Sequence, residues 1–157
     1  MGRKNSPSAN KELNELIAQY ETARAENRQL YLDGDQLADI ADQYAAGRKF
    51  NEAQEVITYG LHLHPDSTDL LVEQAYLYLD TGKIPLAKKV VESITDEYDT
   101  DVKMLKAELM LNEGQLENAR NVLDTIEDAD ELETIINIVY LYMDMGYHEA
   151  AKEWLDK

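Results

Sequence analysis

The side chains with chemistry to offer in this sequence are its carboxylates, its tyrosines and three histidines. There are 32 acidic residues against 15 basic ones, ten tyrosines and no cysteine. Carboxylate pairs are so common at this composition that a pair alone does not mark a general acid and base. Asp33-Gly34-Asp35 begins like a calcium loop, but the remaining oxygen ligands of such a loop do not follow. His62 and His64 flank Leu63 just ahead of Pro65. In a strand that spacing would put both rings on one side; at a helix end it need not, and no third ligand stands nearby in sequence. His148 falls where a turn is expected. Without cysteine there is neither a thiolate metal site nor a disulfide framework. No phosphate loop, dinucleotide fingerprint or nucleophile elbow is present. The sequence therefore predicts no catalytic residue, no cofactor and no metal.

The charge balance narrows the partners. A formal net charge of −17 repels a phosphate backbone and an anionic membrane surface, and steers basic proteins or peptides inward. No run reaches the roughly 18 apolar residues that a membrane-spanning helix needs. Met1 to Asn10 is polar, carries Arg3 and Lys4, and lacks the apolar stretch of a secretory signal. A cytoplasmic protein is expected, binding neither nucleic acid nor membrane.

The elements that must position these side chains show themselves as a repeat. Gly47, Gly82, Gly114 and Gly146 are each followed a few residues on by an alanine, at Ala53, Ala87, Ala119 and Ala151. The alanines recur after 34 (Ala53 to Ala87), 32 (Ala87 to Ala119) and 32 (Ala119 to Ala151) positions. An apolar run of helical period precedes each glycine: Leu37, Ile40, Ala41 and Tyr44 in the first unit, Ile135, Ile138, Val139 and Tyr142 in the last. A second such run follows it, as in Leu116, Ala119, Val122, Leu123 and Ile126. Each unit thus reads as helix, glycine turn, helix. The glycine is expected in the left-handed conformation that ends the first helix, and the alanine where the paired helices approach. Asp35, Asp69, Asp101 and Glu133 recur in the first turn of each first helix, where a negative charge complements the helix dipole.

This pattern closely resembles the tetratricopeptide repeat. Gly34 to Ser67 matches best, with Ala41, Tyr44, Gly47, Phe50, Ala53 and Pro65. The second unit has Ala75, Tyr78, Gly82 and Ala87, with Asp99 where the closing proline would stand. The third has Ala107 and Met110 and lacks the proline; the fourth has Val139, Tyr142, Gly146 and Ala151. The resemblance implies an all-α fold, a right-handed superhelical solenoid of antiparallel helix pairs. The expected organisation is a disordered lead over 1–9, a capping helix over 10–33 carrying Leu13, Leu16, Ile17 and Tyr20, and four repeats at 34–67, 68–99, 100–131 and 132–157. Pro85 is tolerated in the first turn of a helix.

The resemblance also implies that the first helices line a concave groove holding a partner segment. In that frame the groove residues are Asp39, Asp42, Glu73, Tyr76, Asp80, Glu108, Asn112, Asn137, Tyr140 and Asp144, and the frame admits Ala38, Ala45, Ala46, Val72, Leu79, Met104, Leu105, Leu111, Ile136 and Met143 beside them. Asp42, Tyr76, Glu108 and Tyr140 fall at equivalent places in successive units. Carboxylates mixed with tyrosine suit a partner that brings Lys or Arg together with apolar anchors. One branch of the family grips acidic chaperone tails through lysine, arginine and asparagine. Here those places hold Asp39, Asp42 and Glu73, with Asn137 alone of a suitable type, so the resemblance stops short of that branch. The expected function is that of a scaffold or adaptor that binds protein and is not an enzyme. The alternative is a spacer or self-association segment of a longer repeat protein, through the helix carrying Trp154 and Leu155, whose outer face has no capping helix after it.

Overall fold

The computed structural model describes residues 7–127 and 129–156, and these form nine α-helices and no strand. In chain order the helices are α1 (Pro7–Ala25), α2 (Gly34–Ala46), α3 (Phe50–Leu63), α4 (Thr68–Asp80), α5 (Ile84–Ser93), α6 (Thr100–Asn112), α7 (Leu116–Leu123), α8 (Leu132–Asp144) and α9 (His148–Leu155). The fold is an all-α helical-repeat solenoid in class, and the sequence expectation of helix pairs joined by short turns is met.

Helix starts are set by side-chain caps at a regular interval. Asp33 opens α2 with a capping box: its Oδ1 accepts from the Gln36 amide at 2.8 Å, and the Gln36 side chain accepts from the Asp33 amide at 3.1 Å. Ser67 opens α4, its Oγ accepting from the Leu70 amide. Asp99, which stands where the repeat pattern would have a proline, caps α6 by accepting from the Val102 amide at 3.1 Å. Such a cap contributes about 1 kcal/mol. Glu131 stands at the same place before α8 but makes no side-chain cap hydrogen bond.

The turns inside each pair share one hydrogen-bonding scheme. After α4 the Lys83 amide donates to the Tyr78 carbonyl and the Gly82 amide to the Leu79 carbonyl, with Gly82 at φ 75°. This is the double closure that suits a left-handed residue just past a helix end. Gly114 and Gly146 repeat it after α6 and α8, at φ 76° and 85°. The first pair differs from expectation. There the left-handed residue is Arg48, at φ 59°, while Gly47 keeps φ −84° as the cap before it. The Lys49 and Arg48 amides close the turn onto the Tyr44 and Ala45 carbonyls, so the scheme is conserved and the glycine sits one residue early.

The N-terminal helix also departs from its expected bounds. Residues 7–9, expected in a disordered lead, already belong to α1, which opens on Pro7; a proline has no amide to leave unsatisfied in a first turn. Residues 1–6 of that expected lead, with Arg3 and Lys4, lie outside the described residues. The helix stops at Ala25 rather than near Leu32, because Asn27 takes a left-handed φ of 54° and the Arg28 and Asn27 amides close onto the Ala23 and Arg24 carbonyls. The connection to α2 is then tied to α3. The Tyr59 hydroxyl donates to the Leu30 carbonyl at 2.9 Å, and His64 Nε2 meets the Leu32 carbonyl at 2.8 Å.

The chain divides into two compact units, with the division falling inside α5 at Val90 and Val91. In the first unit α2 lies against α3, α4 against both, and α1 against α2. Leu37, Ile40, Val56, Ile57 and Leu70 are fully buried there. Gly60 on α3 makes this approach possible: a Cβ placed on it would lie 2.8 and 3.0 Å from the two Leu70 methyl carbons and 3.4 Å from Leu37 Cδ1. The Tyr44 hydroxyl donates to Glu21 at 2.6 Å, fastening α2 to α1. Gln54 and Gln74 exchange two amide hydrogen bonds of 2.9 and 3.0 Å between α3 and α4.

In the second unit α6, α7, α8 and α9 share one core built on Leu123, Ile138 and Tyr142. The buried Lys103 sends its ammonium to the Thr125 carbonyl at 2.8 Å, at the end of the α7 segment, where a positive charge suits the helix dipole. Arg120 reaches Glu153 at 3.0 Å, linking α7 to α9. Trp154, expected on an open face, is only 6% exposed because it is absorbed into this core, whereas Leu155 beside it is exposed.

Candidate protein-binding site

The first unit holds a cleft of about 120 Å³ between α2 and α4, floored by Ala53 and Ile57 of α3. Its walls include Asp42, Ala45 and Ala46 from α2 and Glu73, Tyr76, Leu77 and Asp80 from α4. Four of the five polar residues that the sequence nominated in this unit therefore converge: Asp42, Glu73, Tyr76 and Asp80. Asp39 lies one turn back from Asp42 on α2 and is half-buried, but it does not line the cleft. The cause is local. Residues 42 and 46 on α2, and 73, 76 and 80 on α4, are three or four apart, so each set lies along one helix side. The small Ala41, Ala45, Ala46 and Ala53 leave the hollow that the acidic side chains border.

The electrostatics of the cleft are acidic but graded. Glu73 is 8% exposed, and Asp42 and Tyr76 are half-buried. Asp80 stands exposed at the rim, yet its carboxyl pKa is raised above the ordinary value. Burial of part of the group is the main cause; Arg48 works against the shift and the neighbouring Asp42 adds to it. Carboxylates gathered this closely repel one another and favour a cationic group placed among them.

In the second unit Glu108 is half-buried on α6, and Asn112 one turn later is exposed, its amide donating back to the Glu108 carbonyl at 3.2 Å. On α8 Asn137 is half-buried, and Tyr140 and Asp144 are exposed. Here the structure adds Leu132, which sequence reasoning missed, to Ile136, Tyr140 and Met143, which the family frame had placed in the groove. Leu132, Ile136, Tyr140 and Met143 are all exposed, and their spacing of four, four and three puts them along one side of α8. The signal was available, since this helix is apolar on more than one face. The family frame assigned it only its groove positions.

Other nominations fail on burial. Ala38, Val72, Met104, Leu105 and Leu111 are buried core residues and present nothing to a ligand. First helices in a stack have neighbours on two sides, so a side chain facing a neighbour and one facing open space differ by a single helical step. His62 and His64 do not form a site: His62 is exposed, and His64 is committed to the Leu32 carbonyl and lies edge-on to the Tyr31 ring, 5.4 Å between centroids. Among the described residues no three His, Asp or Glu side chains are placed to hold a metal ion, and no helix is long and apolar enough to cross a membrane.

Helix pairs closed by a left-handed residue, with small residues at the crossing, define a helical repeat. The family model of the tetratricopeptide repeat matches residues 44–109, from the end of α2 into α6. A search of curated proteins and of solved structures returns no match. The tetratricopeptide repeat is a non-catalytic repeat whose general role is protein–protein interaction.

Proposed function

We propose that this chain is a cytoplasmic scaffold or adaptor module that binds a segment carrying Lys or Arg together with apolar anchors. It is not an enzyme in this reading. The observation that carries it is the cleft between α2 and α4, where Asp42, Glu73, Tyr76 and Asp80 border one hollow. A cation of the partner meets the carboxylates and the tyrosine ring face. Glu108, Asn112, Asn137, Tyr140 and Asp144 belong to the same binding role in the second unit, with the exposed Leu132, Ile136 and Met143 giving apolar contact. The repeats are bounded at 34–67, 68–99, 100–131 and 132–157 in this account, which agrees with caps at Asp33, Ser67 and Asp99.

The test is a peptide array probed with the full chain, in which basic-apolar segments compete with acidic-apolar and basic-polar controls of equal length. Retention of the basic-apolar set, lost for the Asp42→Lys, Asp80→Lys, Asp144→Lys triple variant at unchanged helicity, supports the reading. Equal retention of acidic segments sinks it. A second reading, self-association through α9, has Leu155 as its exposed side chain; light scattering at rising concentration tests it, and a constant monomer mass removes it.

A further inference from the structure

A second cleft lies away from the acidic one, where α1, the connection after it and α3 meet. It has a volume of about 160 Å³, and Tyr20, Arg24, Arg28, Leu30 and Tyr59 are among its walls. Tyr20 is 5% exposed, and its hydroxyl is buried with no hydrogen-bond partner. A buried hydroxyl left without a partner costs about 1–3 kcal/mol, so the arrangement is one that a ligand acceptor would relieve. The same hydroxyl lies within the field of Arg24, Glu55 and Tyr59. Burial raises its pKa, so it keeps its proton and remains a donor across the physiological range.

Two guanidinium groups border the same space. Arg24 meets Glu55 through Nη2 at 3.1 Å, and Arg28 meets Glu26 through Nε at 2.9 Å. Both pairs are more than half exposed, and exposed pairs of this kind stabilise little. A guanidinium has five donors, so several remain on each arginine for a second acceptor. The rest of the wall is mixed: its apolar part is the two tyrosine rings, 6.4 Å apart between centroids, with Ala23 and with Leu30, whose carbonyl holds the Tyr59 hydroxyl, and its polar part is Asn27 and Gln29. The volume falls below the roughly 300–1,000 Å³ of sites that take drug-sized ligands. Either anion gives up water here, but inorganic phosphate has no apolar part to set against the tyrosine rings and Leu30, whereas a carboxylate with an apolar tail has one.

We propose that this cleft binds a small carboxylate with an apolar tail, its oxygens taken by the Tyr20 hydroxyl, Arg24 and Arg28 and its tail lying against Tyr59 and Leu30. The carboxylate comes either from a free organic acid or from a chain terminus.

The experiment uses the full chain at physiological ionic strength, titrated with benzoate, benzamide and inorganic phosphate and followed by amide chemical shifts. Two further arms use a tripeptide ending in phenylalanine, with a free or an amidated terminus. Saturable benzoate shifts centred on residues 20–30 and 59, at least tenfold weaker for benzamide and phosphate, are expected. The free tripeptide binding more tightly than benzoate assigns the chain-terminal source; benzoate alone binding assigns the free acid. Tyr20→Phe should weaken benzoate at least tenfold while leaving the ligand-free unfolding midpoint unchanged or higher. Arg24→Gln with Arg28→Gln should abolish saturation at unchanged helicity. No saturable benzoate binding, equal binding of benzamide, or a Tyr20→Phe variant that binds as wild type would each overturn the proposal. So would a Tyr20→Phe variant destabilised without ligand, because the hydroxyl would then have an internal partner.

Discussion

Replacing Gly60 with alanine tests the close approach of α3 to α4 and α2. The new methyl would sit 2.8 and 3.0 Å from the Leu70 methyl carbons and 3.4 Å from Leu37 Cδ1. Both leucines are fully buried, so neither can swing aside freely. Overfilling of this kind costs about 1–3 kcal/mol. The helix preference of alanine over glycine returns about 1 kcal/mol. The expected net loss is therefore about 1 kcal/mol, too small alone to prove the mechanism. The informative quantity is the coupling with Leu70→Val, which withdraws the clashing methyls and alone costs about 1 kcal/mol. If the contact is as the structure has it, Gly60→Ala in the Leu70→Val background is neutral or stabilising. The double variant should then beat additivity by about 1 kcal/mol or more. Urea unfolding of the four proteins, followed by far-ultraviolet circular dichroism, measures this cycle. Strict additivity would refute the close approach of α3 to α4 at this point.

Gly82→Ala should destabilise by about 1 kcal/mol, because a left-handed turn residue with a Cβ carries strain although the space around it is empty. Arg48→Gly should be close to neutral, since relief of the same strain is offset by the looser unfolded chain and by loss of the Arg48 contact over Phe50; a large loss there would contradict the assignment of the left-handed position. Glu131→Ser should raise stability by about 0.5–1 kcal/mol by supplying the cap that α8 lacks, read from the urea midpoint. Asp80→Asn should be neutral or stabilising at pH 7. The raised folded-state pKa means that the ionised wild-type group opposes folding above its ordinary value of 3.8, and the penalty fades as pH falls through and below the shifted value. A thermal midpoint advantage of the variant that grows on acidification would contradict that sign.

Much of this fold is legible because repeats print the same physics several times. The alanine interval, the first-turn acids and the glycines all point to one helix-turn-helix unit, and each has a counterpart in the structure. What sequence missed are single-residue events. Asn27, Leu30 and Tyr31 fit the helical period of α1, but Asn27 tolerates a left-handed φ and ended the helix before them. Gly47 looked like the turn residue, while Arg48 took that conformation. The capping role of Asp99 was hidden by reading it as a missing proline.

The site follows the same division. Asp42 on α2 and Glu73, Tyr76 and Asp80 on α4 were nominated because the family frame sets first helices side by side and helical spacing aligns the residues within each. The burial of Ala38, Val72, Met104 and Leu105 was not predictable, because it depends on which neighbour each helix meets. The cleft at Tyr20, Arg24 and Arg28 was invisible for a related reason. It exists only because the chain turns back at Asn27 and is held by Tyr59, 29 positions on from Leu30.

The most direct measurement is a comparative pull-down from the source cell, wild type against the Asp42→Lys, Asp80→Lys, Asp144→Lys variant, read by mass spectrometry. The account predicts a protein with a basic-apolar segment that is held by the wild type and released by the variant, with helicity the same in both. An identical catch from the two proteins would contradict an acidic groove as the binding surface.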